Sequence, residues 1–253
     1  MPRNARQKST TDVYHVMLRG INRQSIFEDE EDYRRFLLIL RDCKRVSGFK
    51  LYAFCLMPNH IHLLIHVIDE PLDLIIKRIG SRFVYWYNMK YERVGHLFQD
   101  RFRSEPVEDD AYFLTVLRYI VQNPMKSGLE AHPGAYRWNC YRDYAASSSC
   151  LTDTDFADGF FATRADLLAY LCQHNDDRAL DIRPARIHIT DEKAAALAAQ
   201  ITGCVAAPEF QRLQRQRQLE CISQLRQHNL SIAQISRATG ISPATVSRIL
   251  KCE

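Results

Sequence analysis

The alternation of apolar and polar positions divides the first half of the chain into seven segments. YHVMLRG (14–20) mixes β-branched and aromatic residues, stops at Gly20 and predicts a strand. DEEDYRRFLLILRDCKRV (29–46) opens on acidic residues and repeats its apolar positions at helical spacing. FKLYAFCL (49–56) and HIHLLIHV (60–67) are strand-like runs joined by the short turn Met57-Pro58-Asn59, as in neighbouring antiparallel strands. PLDLIIKRIGSRFVYWYNMKY (71–91) predicts a helix with Pro71 in its first turn and an interruption at Gly80. HLFQDRFRSEPV (96–107) alternates as a strand does. DDAYFLTVLRYIVQN (109–123) predicts an amphipathic helix that acidic residues open and Pro124 closes. The order βαββαβα implies an α+β fold, an antiparallel sheet with packed helices.

A second pattern lies at the C-terminal end, in NLSIAQISRATGISPATVSRILK (229–251). Ser231 caps a short helix with Ile232 and Ile235 on its apolar face, and Thr239-Gly240-Ile241 makes a turn. Ser242 then caps, and Pro243 opens, a second helix with Val246, Ile249 and Leu250 facing inward. This looks like a helix-turn-helix. Its outward residues, Ala244, Thr245, Ser247 and Arg248, are small or hydrogen-bonding, as a helix entering the major groove requires. The competing reading is a helical hairpin that merely packs or dimerises. PEFQRLQRQRQLECISQLRQH (208–228) predicts a basic helix supporting the pair.

Charge and composition refine this picture. Residues 150–200 hold 5 basic and 9 acidic side chains, and lie between two regions that are each net +4. AASSSCLTDTD (145–155) is rich in Ser and Thr, lacks periodicity and is the best linker candidate. The expected division is therefore a catalytic-type domain over 1–145, an acidic connecting region over 146–205, and an all-α helix-turn-helix domain over 206–253. With 46% hydrophobic and 25% charged residues, the 253-residue chain is ordinary globular material. A net charge of +4 is too small to argue for nucleic acid by itself, so that case must come from local features. The eight cysteines are scattered with no CxxC pair, which disfavours a disulfide scaffold or a cysteine zinc site. The basic, polar beginning and the lack of a ~20-residue apolar run point to a cytoplasmic protein with no membrane partner.

His60 and His62 are two apart in a strand, so both imidazoles leave the same face and can share a divalent ion. A pair of this kind is more often structural than ligating. His66 shares the face, but Leu64 comes between, which argues against a histidine-triad hydrolase. Of twelve tyrosines, two have an amide, imidazole or carboxylate four residues on: Tyr119 with Asn123, and Tyr170 with His174. Either could bring a phenol nucleophile and a ligand to one centre, and spacing does not choose between them.

YHVMLRGINRQSIF, LYAFCLMPNHIHLLI, GHLFQDRFRS and LRYIVQNPMKSGL, in that order, resemble the single-tyrosine HUH transposases, most closely the REP-associated tyrosine transposases, over residues 13–130. The resemblance implies a ferredoxin-like HUH domain in which His60 and His62 are metal ligands, Tyr119 is the nucleophile and Asn123 is the polar third ligand. Related insertion-sequence enzymes often carry the longer Gln there. It also implies Mg²⁺ or Mn²⁺ as cofactor, and single-stranded or hairpin DNA as substrate, cleaved through a 5′-phosphotyrosine with release of a 3′-OH. Tyr170 lies outside the resemblance.

Arg19, Asn22 and Arg23, with Phe98, Arg101, Phe102 and Arg103, combine phosphate-pairing charge with stacking surface, as single-strand binding requires. Arg118, Arg101 and Arg103 are the candidate cations beside the nucleophile. Duplex DNA is the expected partner of the C-terminal helices. The rival reading is a DNA-binding regulator that keeps this scaffold without turnover. A replication initiator or relaxase would share the chemistry, but those proteins often add helicase domains or paired tyrosines, which this chain lacks. The target sequence and the choice between monomer and homodimer stay open.

Overall fold

The computed structural model describes residues 7–99, 101–146, 151–177, 179–180, 191–204, 206–227 and 230–250. They fall into two compact units that divide between Asp181 and Ile182. The first is built on β1 (Val13–Arg19), α1 (Glu30–Ser47), β2 (Lys50–Met57), β3 (His60–His66), α2 (Leu72–Lys90), β4 (Arg103–Pro106) and α3 (Asp110–Lys126). The strands form one sheet in the order β2-β3-β1-β4, antiparallel at every pairing. This is the predicted α+β architecture.

Local chemistry sets the boundaries. Asp29 and Asp32 form a reciprocal capping box at the start of α1, and Gly48 ends it at a left-handed φ of 66°. Gly20 closes β1 where the chain doubles back: a Cβ there would sit 2.3 Å from the Gln24 carbonyl oxygen, so only glycine fits. One face of the sheet carries Val16, Leu18, Ile61, Leu63 and Ile65, all buried. The apolar stripes of α1 (Phe36, Ile39, Leu40) and α2 (Ile75, Ile79, Phe83) belong to the same core. The other face carries the histidines, and α3 packs against β2 and β3.

Three elements differ from the sequence expectation. The strand expected over 96–107 is interrupted. Phe98 pairs with Gly20 and Arg103 with Met17, so five steps along one strand oppose three along the other, and Arg101 in the segment between is exposed. Helix α2 runs through Gly80 without a break. Helix α3 also runs past Pro124 to Lys126; proline cannot donate to the Ile120 carbonyl, yet Ser127 N–H closes onto Asn123 O at 3.0 Å and holds the last turn.

The expected connecting region, 146–205, contains helices of both units. In the first, α4 (Tyr141–Ala145), α5 (Asp155–Asp158) and α6 (Arg164–Cys172) follow α3, and Gln122 Nε2 donates to the Leu171 carbonyl at 2.7 Å, fixing α6 to α3. Residues 136–144 and 151–153 also cover the free edge of β2 through Leu56 N–H to Trp138 O (2.8 Å), Cys140 N–H to Phe54 O (3.0 Å) and Asp153 N–H to Leu51 O (2.8 Å). Part of the linker candidate, 147–150, lies outside the described residues.

The second unit consists of α7 (Asp191–Thr202), α8 (Ala207–Gln211), α9 (Arg215–Gln227), α10 (Ile232–Thr239) and α11 (Pro243–Ile249). They surround Phe210, Cys221, Ile222, Leu225, Leu230, Ile235 and Val246. The basic helix expected over 208–228 is two helices, α8 and α9, with a break after Gln211. The six described cysteines are free thiols, and no described helix is long and apolar enough to cross a membrane.

Candidate active site

The site lies between β3, β1 and α3. Asp109 caps α3 by accepting from Tyr112 N–H, and the helix is buried against the sheet on one side and α6 on the other. Its register brings Tyr119 and Asn123, one turn apart, over the histidine face. Asn123 Oδ1 is 3.3 Å from His60 Nε2, and its Nδ2 is 3.5 Å from His62 Nε2. The ring of Tyr119 stands edge-on to His62 at 5.8 Å and to His15 at 6.1 Å between centroids, and Tyr119 is 3% exposed. The Lys126 ammonium lies 4.6 Å from the centre of the Tyr119 ring.

Both ring nitrogens of His60 and of His62 are engaged. His60 Nδ1 is 2.7 Å from Asn59 Oδ1, which accepts a proton carried there and leaves Nε2 with its lone pair. His62 Nδ1 is 2.9 Å from Nε2 of His15, a fully buried residue of β1. Burial, and then the nearness of His15 and His60, holds His62 well below the usual imidazole range, and burial pushes His15 down to about 3. Both rings are therefore neutral, the form that ligates metals. Among the described residues no group of three or more His, Cys, Asp or Glu is arranged to hold a metal. Two imidazole nitrogens with a side-chain amide between them, its oxygen toward His60 and its nitrogen toward His62, are groups of the kind that suit a divalent ion.

The expected basic residues gather on the strands next to the histidines. Arg19 pairs in register with His60, and Met17 with both His62 and Arg103, so one row of the same face runs His62, Met17, Arg103. Met17, Arg19, Gln99, Arg101 and Arg103 line a cavity of about 310 Å³. Arg19 Nε and Arg23 Nη2 are buried without a hydrogen-bond partner. Burial first, then the charges of Arg23 and Arg103, pushes the Arg19 guanidinium below its ordinary range. Donors left unsatisfied among like charges are stabilised by an anion. Asn22 and Arg23 hold left-handed backbone, at φ 49° and 61°, a strained conformation that presents them at the turn.

Other candidates are engaged elsewhere. Arg118 is committed to Asp177, at 2.6 and 3.0 Å, and to the face of Tyr170, so it is not the cation beside the nucleophile. Tyr170 lies on α6 against Phe161 and beneath that guanidinium, whereas Tyr119 meets the histidine pair. Phe98 and Phe102 pack against the core, which weakens the case for them as base-stacking surfaces. Sequence reasoning missed His15 and Lys126. Lys126 was within reach of it, because it shares a helix face with Tyr119 at a spacing of seven.

In the second unit, Ser231 and Ser242 cap α10 and α11 by accepting from Gln234 N–H and Thr245 N–H, and Gly240 turns between them at φ 69°. This is the predicted helix-turn-helix. Val246 is buried, Thr245 and Ser247 are half-buried, and Arg248 is exposed.

Residues 9–123 match the family model described as IS200-like transposases, and residues 215–252 match that of bacterial regulatory proteins of the arsR family. No curated protein matches. Among solved structures, a REP-associated tyrosine transposase bound to a REP hairpin is similar at a TM-score of 0.52 and 15% identity, over 72% of this chain and 96% of that one. A candidate transposase from Deinococcus radiodurans R1 gives a TM-score of 0.35 at 18% identity, over 50% of this chain and 97% of that one.

Proposed function

Residues 9–123 are similar to the IS200-like transposases, and from that premise we propose that the protein is a DNA strand-transfer enzyme that cleaves and rejoins single-stranded or hairpin DNA through Tyr119. The observation that carries the reading is the Asn123 amide, set between His60 Nε2 and His62 Nε2 one helical turn from a tyrosine whose ring meets His62.

His60, His62 and Asn123 would hold a divalent ion, Mg²⁺ or Mn²⁺. When bound, the ion supplies positive charge that offsets the anionic oxygens of the scissile phosphate. The phenolic oxygen of Tyr119 attacks the phosphorus and gives up its proton, while the bond to the 3′ oxygen breaks and that oxygen leaves as a hydroxyl. The strand stays on the enzyme as a 5′-phosphotyrosine, and attack by another 3′-OH reverses the step without ATP. Arg19, Arg23, Arg101 and Arg103, with Asn22, hold the neighbouring phosphates. The bound REP hairpin of the similar structure supports hairpin DNA as the substrate class. Thr245, Ser247 and Arg248 on α11 contact duplex DNA in the second unit.

The test is an end-labelled hairpin oligonucleotide. With the unaltered protein, 3′ label migrates with the protein and 5′ label stays on free DNA. Tyr119→Phe loses the adduct and keeps binding. Label on the opposite end, or adduct formation by Tyr119→Phe, overturns the assignment, and a protein that binds the hairpin without any adduct is the regulator instead.

A further inference from the structure

We propose that His15 is a positioning residue of this centre: its Nε2 accepts the Nδ1–H of His62 and so fixes the tautomer in which His62 Nε2 offers its lone pair toward Asn123. The inference rests on the reading of His60 and His62 as ligands, and it adds a residue from a different strand.

His15 lies on β1, opposite Leu64 of β3 and two pairs along the ladder from Met17–His62, on the same face. Residues on a diagonal of this kind are close enough for long side chains to meet. The rings of His15 and His62 are 5.1 Å apart at a tilt of 33°, and the nitrogens are 2.9 Å apart. Leu64 breaks the run of histidines along β3, and the neighbouring strand supplies an imidazole at that level of the face. The bond lies at Nδ1 of His62, while Asn123 lies at its Nε2, so His15 stands behind the ligand and is not a ligand itself.

The other nitrogen strengthens the case. His15 is fully buried, and its Nδ1 has no hydrogen-bond partner. Burying an unpaired polar atom costs free energy that an apolar side chain of the same size would not incur. What the imidazole adds at this position is therefore its bond to His62. A histidine that ligates a metal through one nitrogen is oriented by the partner of the other, and loss of such a partner typically weakens metal affinity. His15 also stands edge-on to Tyr119, so the same ring walls the nucleophile.

Two variants separate positioning from packing. His15→Phe keeps a ring in the space and removes the acceptor, whereas His15→Gln restores an acceptor. Mn²⁺ binding to the full chain without DNA, measured by calorimetry, should weaken about 10- to 100-fold in His15→Phe and return most of the way in His15→Gln. Equal affinity of His15→Phe and the unaltered protein overturns the proposal, as does a His15→Gln that binds no better than His15→Phe. Should the variants fail to fold, long-range ¹H–¹⁵N spectra of the unaltered protein with Mg²⁺ give the answer: a proton on His62 Nδ1 supports the proposal and a proton on His62 Nε2 overturns it. Mn²⁺ binding that survives His62→Ala removes the ligand reading itself. Binding that depends on His62 but not on His15 removes this proposal alone.

Discussion

Lys126 stands two turns along α3 from Tyr119, with its ammonium over the phenol ring. A cation in that position stabilises the ring most when the oxygen carries negative charge, as it does while the phenolic proton is leaving. Lys126→Met should therefore slow single-turnover cleavage of a hairpin oligonucleotide about tenfold, roughly 1.4 kcal/mol of barrier. An unchanged rate would assign the ammonium only to its bonds with Asn175 Oδ1 and the Asp177 carbonyl, at 3.4 and 2.9 Å. The histidine pair and the tyrosine helix were legible in the sequence because strand period two and helix period 3.6 place neighbours along one element. His15 was not, because its bond to His62 spans 47 residues and arises only from the register of β1 on β3. Tyr170 and Tyr119 satisfy the same spacing rule; only Tyr119 falls within the resemblance, and it is Tyr119 whose ring meets His62 while Tyr170 lies under Arg118.

At the scale of elements, the seam between β1 and β4 concentrates charge. Arg19 and Arg103 lie on the face that carries the histidines, and Arg101 lines the same cavity with them. Each guanidinium that neutralises a single-strand phosphate contributes about 0.7 to the slope of log affinity against log salt. Arg103→Gln should flatten that slope by about this amount for a single-stranded oligonucleotide, with no preference among sequences. A parallel shift with unchanged slope would mean that Arg103 makes no phosphate contact. The alternating pattern of 96–107 conceals the bulge, because an unpaired insertion leaves the local apolar rhythm intact while displacing the strand from its partner. Pro124 misleads for a related reason: the steric rule before proline is a preference, and packing of α3 between the sheet and α6 overrides it.

For the molecule as a whole, the boundary follows packing rather than charge. The acidic stretch after residue 150 looked like a connector because α5 and α6 are short and carry little periodic signal. Yet Ala157, Leu167 and Leu171 are buried in the first unit's core, and Asp153 pairs with Lys44 at 2.7 Å while its backbone covers the edge of β2. A chain ending at residue 150 removes these side chains and exposes the outer face of α3, the helix that carries Tyr119 and Asn123. Loss of three buried side chains of this size costs on the order of 2 kcal/mol or more for each large one, a substantial part of a domain's stability. A chain ending at Asp181 keeps them. It should unfold cooperatively in urea and form the Tyr119 adduct on a hairpin oligonucleotide at a rate close to that of the full chain, whereas the chain ending at residue 150 should unfold at markedly lower urea and form little adduct. In the full chain, Arg248→Ala should weaken binding to duplex DNA and leave adduct formation on the short hairpin unchanged. If the 181-residue chain folds but forms no adduct, the helix-turn-helix unit takes part in cleavage and the two units are not separable in function.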